Sequence, residues 1–363
     1  MHRRAERART GEGSASATLT PAPVLSASHL VAGYLARRRR YSVVAVRDLE
    51  AAPGQLIAVV GPNGSGKSTL LRTLAGELAP LFGQVELEGR DVRRIKRAHR
   101  ARLISVVLDD LIDASVQSVG EVIASGRYPY GVREAPIDDE DMAAAWRAAH
   151  HLGIANVWTA PYERLSDGQR QRCLVARALA AEPAIVVLDE PTSHLDLPGR
   201  AILSAHLARI THNSDTTVIM STHDLDHALA NADRLWLVAG GTVTDGAPED
   251  LLSDGTLGEA FSKGNLTFDP TTATLRAQPG PGPVVAIRGG GLPAQLATRV
   301  VHRLGLEAHH DDPRPNARSG RSGVSWHLTA HSDGWTLSNG KSSQRGITYA
   351  QLADALRLRV LAV

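Results

Sequence analysis

Between the apolar run Leu56-Ile57-Ala58-Val59-Val60 and the helically spaced Ser68-Thr69-Leu70-Leu71-Arg72-Thr73-Leu74 stands the octapeptide Gly61-Pro62-Asn63-Gly64-Ser65-Gly66-Lys67-Ser68. It restricts the fold more tightly than any other stretch, because glycines at this spacing followed by Lys and Ser work only between a strand and a helix. Glycines without Cβ atoms let backbone N–H groups curl around a phosphate, and the positive end of the following helix faces the same charge. Lys67 then supplies a point charge near the β- and γ-phosphates of a nucleotide, and Ser68 offers a hydroxyl to Mg²⁺. Thr69, next along the helix, belongs to the same phosphate-binding stretch.

Two further short apolar runs, Ile185 to Leu188 and Thr217 to Met220, each follow a helical stretch, the pattern of a parallel sheet covered by helices. The first of them ends in Asp189-Glu190, two carboxylates at the edge of the sheet where open α/β folds bind ligands. Asp189 is expected to hold Mg²⁺ through water. Glu190 is then left to accept a proton from, or to align, the water that attacks the γ-phosphate, a role for a carboxylate near the metal but not on it. The polar, Ala-rich helical stretch from Ile137 to Gly153 reads as part of a separate helical lobe.

Leu165-Ser166-Asp167-Gly168-Gln169-Arg170-Gln171-Arg172 resembles the signature sequence of ATP-binding cassette proteins, with Asp167 where Gly is commoner. With Pro191-Thr192-Ser193-His194-Leu195-Asp196 and Ser221-Thr222-His223-Asp224, the resemblance covers about Leu30 to Phe261. It implies an ATPase of α/β class with a mixed sheet and a helical lobe at about residues 97–165. It also implies a head-to-tail pair of cassettes in which Ser166, Asp167, Gly168 and Gln169 close over ATP held by the partner's loop. His223 resembles the switch histidine that contacts the γ-phosphate and couples Glu190 to its surroundings. Asp196 resembles the residue that contacts the partner. Tyr34 is the candidate for stacking on adenine, with Tyr41 as second choice. One position departs from the pattern. The stretch Ile104-Ser105-Val106-Val107-Leu108-Asp109-Asp110 puts Asp109 where the family has a Gln that senses Mg²⁺; a carboxylate can still bind the metal, but adds negative charge near the γ-phosphate.

Gly126-Arg127-Tyr128-Pro129-Tyr130 is similar to a stretch of the importers of iron-siderophore complexes, haem and cobalamin. That resemblance implies an ATP- and Mg²⁺-dependent subunit on the inner face of the plasma membrane. A second cassette, two polytopic permease subunits and a substrate-binding protein would be its partners, the permeases docking around Asp109 to Tyr130. The alternatives are a non-transport cassette of DNA-repair or translation type, or a regulatory subunit with crippled turnover. The helical insertion is short and free of heptads, against the repair type, and Asp109 is what favours the regulatory reading.

A chain of 363 residues exceeds the usual single domain. Residues 1–23 read as a disordered leader, 24–267 as the cassette, 268–283, rich in Pro and Gly, as a linker, and 284–363 as a small accessory α/β domain. In that last domain we expect a strand over Val284 to Ile287, a helix over Leu292 to Leu304, a hairpin around Ser332-Asp333 and a final helix over Tyr349 to Leu358. Gly289-Gly290-Gly291 reads as a structural turn, and His309-His310-Asp311-Asp312 as a solvated loop. The net charge of +2 calls for no nucleic-acid partner, and Arg37 to Arg40 reads as a solvated hairpin tip. The single cysteine, Cys173, excludes an intramolecular disulfide and reads as a buried small hydrophobe. No apolar run reaches the ~20 residues that cross a bilayer, so the expectation is a chain that neither spans the membrane nor is exported.

Overall fold

The computed structural model describes residues 21–37, 39–108, 117–130, 138–262, 266–269, 274–277, 283–310 and 324–361. Contacts divide the chain into two units, Met1–Ala260 and Phe261–Val363.

The first unit is built on a ten-stranded sheet. In spatial order it runs β5 (Arg90–Asp91), β4 (Phe82–Leu87), β1 (Leu25–Ala36), β2 (Arg39–Ala51), β10 (Thr242–Gly246), β9 (Arg234–Ala239), β3 (Leu56–Val60), β8 (Thr217–Ser221), β7 (Ile185–Leu188) and β6 (Ile104–Val107). From β9 to β6 neighbouring strands are parallel, whereas β4, β1 and β2 form an antiparallel arm. The two halves carry different sequence patterns for a physical reason. Every residue of β3, β7 and β8 is buried, as strands covered on both faces must be, so they read as unbroken apolar runs. In β1 buried positions are interleaved with less buried ones, which dilutes the apolar signal. Arg37, at the tip of the β1–β2 hairpin, is exposed, and Arg38 lies outside the described residues.

Helices α1 (Lys67–Leu74), α2 (Arg97–Leu103), α6 (Leu197–Asn213), α7 (Leu225–Asn231), α8 (Pro248–Ser253) and α9 (Thr256–Phe261) accompany the sheet. The lobe contains α3 (Val119–Ala124) and α4 (Asp139–His151), which pack against α5 (Asp167–Ala180). Asp138 caps α4 by accepting from Asp141 N. Gly153, at φ 64°, ends it, with Gly153 N donating to His150 O and Ile154 N to Ala149 O, the paired bonds of a Schellman motif. Arg127 pins the lobe. Its buried guanidinium donates to Asp141 Oδ1 at 2.7 Å, and to Ala180 O and Glu182 Oε2 at 3.2 Å, and lies 4.0 Å from the centre of the Tyr130 ring. A Cβ on Gly126 would come within 1.9 Å of Arg177 O, so the stretch Gly126 to Tyr130 has a packing reason for its residues.

The second unit has a sheet in the order β14 (Glu307–His310), β13 (Val284–Arg288), β15 (Val324–His331), β16 (Gly334–Ser338), β17 (Ser343–Gly346). Helices α10 (Gly291–Arg303) and α11 (Tyr349–Leu356) close its core, which includes Trp326, Leu328, Trp335, Leu352 and Leu356. Gly289, at φ 116°, lets the chain pass Ala330 O where a Cβ would sit at 2.5 Å; Gly290 is extended and Gly291 begins α10, so the triple glycine joins β13 directly to α10 where a structural turn was expected. The expected linker differs from what forms. A two-stranded ladder of β11 (Leu266–Asp269) and β12 (Thr274–Ala277) reaches into it, because Leu, Thr and Phe next to the prolines favour extended pairing. The solvated loop expected at His309-His310-Asp311-Asp312 is instead strand at its start: His309 and His310 end β14, paired with Ala286 and Ile287 of β13, because the buried strand β13 leaves an edge that an extended segment can join, and His310 Nε2 lies 3.2 Å from Thr298 Oγ1. Asp311 and Asp312 are outside the described residues, as is most of the expected leader.

Candidate nucleotide site

Strand order brings the site together. Strand β8 lies between β3 and β7, with Val59 in register with Ser221 and Leu188 with Met220. The carboxyl ends of three adjacent strands therefore deliver the glycine loop, Ser221 to His223, and Asp189-Glu190 to one edge.

The loop is a cradle whose glycines have separate causes. A Cβ on Gly61, at φ 151°, would lie 2.1 Å from Val238 O, and one on Gly66, at φ 105°, would meet the side chains of Val44 and Val43 at 2.5 and 2.6 Å. Gly64 faces open space, and Pro62, Asn63 and Gly64 are exposed. Lys67 is only 5% exposed, and its Nζ donates to Gly61 O at 2.9 Å and Pro62 O at 3.3 Å. Burial lowers its pKa from the ordinary lysine value, opposed by the nearby charges of Glu190 and Asp189. Ser65 Oγ is buried with no hydrogen-bond partner among the described residues, and no side chain caps the start of α1 at Gly66. An orphaned hydroxyl, an uncapped helix start and a buried ammonium on backbone carbonyls suit a polyanionic ligand.

At the neighbouring strand ends, Ser221, wholly buried, donates from Oγ to Asp189 Oδ1 at 2.6 Å and accepts from Glu190 N at 2.8 Å. Glu190 sits at φ 50°, in the left-handed region that costs a non-glycine residue about 1 kcal/mol or more and is concentrated at functional sites. Its Oε1 lies 2.5 Å from His223 Nε2, with both side chains partly in solvent. Sequence reasoning quoted Ser221 without giving it work; the available signal was a hydroxyl directly after an apolar strand, one position beyond the residue opposite Leu188. The oxygen donors of Ser68 and Asp189 fit Mg²⁺ in type. Among the described residues no group of three His, Cys, Asp or Glu could hold a metal unaided, so the nucleotide's phosphates would have to complete such a site. Asp109 lies outside the described residues, beyond the end of β6.

The remaining candidates are placed as follows. Tyr34 and Tyr41 are cross-strand partners on the β1–β2 hairpin, both about half exposed, and Tyr34 Oη lies 3.0 Å from Thr69 Oγ1 on α1. That bond ties Tyr34 to the first turn of α1, which follows the phosphate loop. Ser166 caps α5 in a reciprocal box with Gln169, with Ser166 Oγ accepting from Gln169 N at 3.3 Å and Gln169 Oε1 from Ser166 N at 3.0 Å. Asp167 is exposed in the first turn, 3.4 Å from Arg170. A Cβ on Gly168 would meet only Leu195 at an ordinary 3.8 Å, so nothing inside the chain requires glycine there. Asp196 is exposed and caps α6 by accepting from Gly199 N at 2.9 Å.

Residues 46–193 match the ABC transporter family. The chain is 36% identical over 260 residues to the cobalamin import ATP-binding protein BtuD of Halobacterium salinarum, an alignment that takes in 69% of this chain and 64% of that relative's length. It is 34% identical over 215 residues to the ferric enterobactin transport ATP-binding protein FepC of Escherichia coli, covering 59% of this chain and 79% of the relative. Among solved structures, an inward-facing protein assigned to the metal-chelate type of ABC transporter superposes with a TM-score of 0.56 at 28% identity, over 66% of this chain and 89% of its own.

Proposed function

The chain belongs to the ATP-binding subunits of ABC transporters, and from that premise we propose that it binds and hydrolyses ATP to drive an importer of iron-siderophore, haem or cobalamin-type chelates. One observation carries the enzymatic part: three adjacent strand ends gather a phosphate cradle, a buried lysine, a braced acidic pair and a histidine within hydrogen-bond reach of Glu190. The names of the cobalamin and enterobactin relatives support the substrate class.

On this reading Lys67 exchanges two backbone carbonyls for phosphate oxygens, a trade that keeps its charge solvated by oxygen throughout. Ser68 and Asp189 would hold Mg²⁺, with Asp109 as a third candidate; the ion, when bound, neutralises phosphate charge. Glu190 accepts the proton of the attacking water, while His223 orients its carboxylate and Ser221 fixes the backbone of the acidic pair. Tyr34 packs on adenine. Ser166, Asp167, Gly168 and Gln169 face the nucleotide of a second cassette, and Asp196 meets that partner. Two permease subunits dock near Tyr128 and place the chain on the inner face of the membrane, with a substrate-binding protein supplying the chelate. Among the described residues no helix is long and apolar enough to cross a membrane itself.

The test pairs two measurements. The tagged chain, isolated from native membranes with Mg²⁺ and ATP, should bring down polytopic subunits that stimulate its ATPase; recovery of chromosomal or ribosomal partners alone would overturn the importer reading. The Glu190→Gln variant should lose turnover by more than about a hundredfold while retaining ATP, and undiminished hydrolysis would remove Glu190 from its role.

A further inference from the structure

Past the β4–β5 hairpin the chain reads Arg90-Asp91-Val92-Arg93-Arg94-Ile95-Lys96-Arg97-Ala98-His99-Arg100-Ala101-Arg102, seven fixed cations with one carboxylate among them. Val92 and Ile95 are buried and anchor the segment, while Arg90, Arg93, Arg94, Lys96 and Arg97 stay exposed. Asp91 is taken up by Arg93, whose Nε and Nη2 reach its two oxygens at 3.1 and 2.9 Å, and Arg94 is 4.0 Å away. Arg90 and Lys96 have no ion pair among the described residues. With Arg94 and His99 they line a surface cavity of about 620 Å³, where Glu86 and Asp91 are the only carboxylates on the wall. Arg97 and Ala101, also on α2, line a second cavity of about 530 Å³ together with Tyr128 and Pro129. Arg102 ties the two regions together by donating from Nε to Pro129 O at 2.8 Å.

From this density of exposed cations, faced by few carboxylates, we infer that residues 90–102 form a contact for the anionic phospholipid headgroups of a bilayer. A cluster of four to eight basic residues, lysine and arginine alike, attracts a protein electrostatically to an anionic membrane. The chain has a net charge of only +2, so the attraction belongs to this patch and not to the molecule at large. Single-stranded nucleic acid is the poorer fit, since residues 90–102 contain no aromatic side chain on which a base could stack. The inference rests on the importer reading for the side that meets the membrane, because the patch continues into the groove at Tyr128 and Pro129. It adds a direct lipid contact to the one made through permeases.

The experiment sediments the full chain with protein-free vesicles of phosphatidylcholine, alone or mixed with phosphatidylglycerol. Binding should need phosphatidylglycerol, weaken as salt is raised, and fall at least about a hundredfold in the triple variant R90E/R94E/K96E, from a roughly fivefold contribution per basic residue. The charge-preserving R90K/R94K variant should bind like the parent. All three positions lie outside the nucleotide site, so an unchanged ATP affinity shows that the reversed variant is folded. Equal binding to neutral vesicles, undiminished binding by the folded reversed variant, or displacement from vesicles by stoichiometric single-stranded DNA would each overturn the inference. Because the vesicles carry no permease, these outcomes are independent of the membrane pull-down that tests the importer reading.

Discussion

Lys67 illustrates how one residue serves a loop in two states. Buried and bonded to Gly61 O and Pro62 O, it fills the cradle with its own positive charge, which a phosphate can take over. Lys67→Ala should therefore abolish detectable nucleotide binding in a fluorescent-ATP titration. Ser221 has the opposite profile. Replacing it by Ala leaves a part-buried Asp189 oxygen and the Glu190 N–H without their partner, so we expect a loss of about 1 kcal/mol in stability together with slower turnover at unaltered ATP affinity. Cys173 is wholly buried, and burial pushes its thiol up to about 12. The folded state keeps a proton that the unfolded chain releases in the ordinary thiol range, so this group costs stability as pH rises past that range. At neutral pH its alkylation should follow global unfolding; rapid labelling of the native protein would contradict the burial.

Among elements, α5 joins stability most closely to the candidate site. Its first turn is both the signature sequence and a capping box, so one change tests two roles. Ser166→Ala should lower stability by about 1 kcal/mol in chemical denaturation. If Ser166 also reaches a partner's nucleotide, ATPase in the assembled transporter should fall much further than such a loss explains. The sequence showed this element through the signature motif; the cap followed by a Gln at the third position is a second local signal there. It displayed the antiparallel arm less well, since β1, β2 and β4 depend on neighbours distant in sequence for their register. The same cause limited the reading of β11 and β12, which fall partly in a Pro- and Gly-rich stretch yet pair across it.

At the scale of the whole molecule, each unit has its own buried core, one around Leu30, Ile57, Leu71 and Trp236 and the other around Trp335 and Leu352. A chain ending at Ala260 should fold and bind nucleotide with unchanged affinity, as a titration of the truncated protein would show; an insoluble product or lost binding would make the second unit part of the first one's stability. The sequence alone determined the phosphate loop, the acidic pair, the signature helix and, in the second unit, the first strand, the hairpin and the two helices, because each depends on residues a few positions apart and on backbone conformations that glycine, capping side chains or apolar runs specify locally; β14 and β17, short and polar, show only through the strands they pair with. Tertiary structure decided what meets what. Strand β8 enters between β3 and β7, and that insertion makes Ser221 the brace of Asp189 and Glu190 and brings His223 to Glu190, while the packing of α3 and α4 on α5 makes Arg127 the pin of the helical lobe. These contacts join residues tens of positions apart, and their geometry follows from the order of strands in the sheet and the packing of the lobe, which no local pattern encodes.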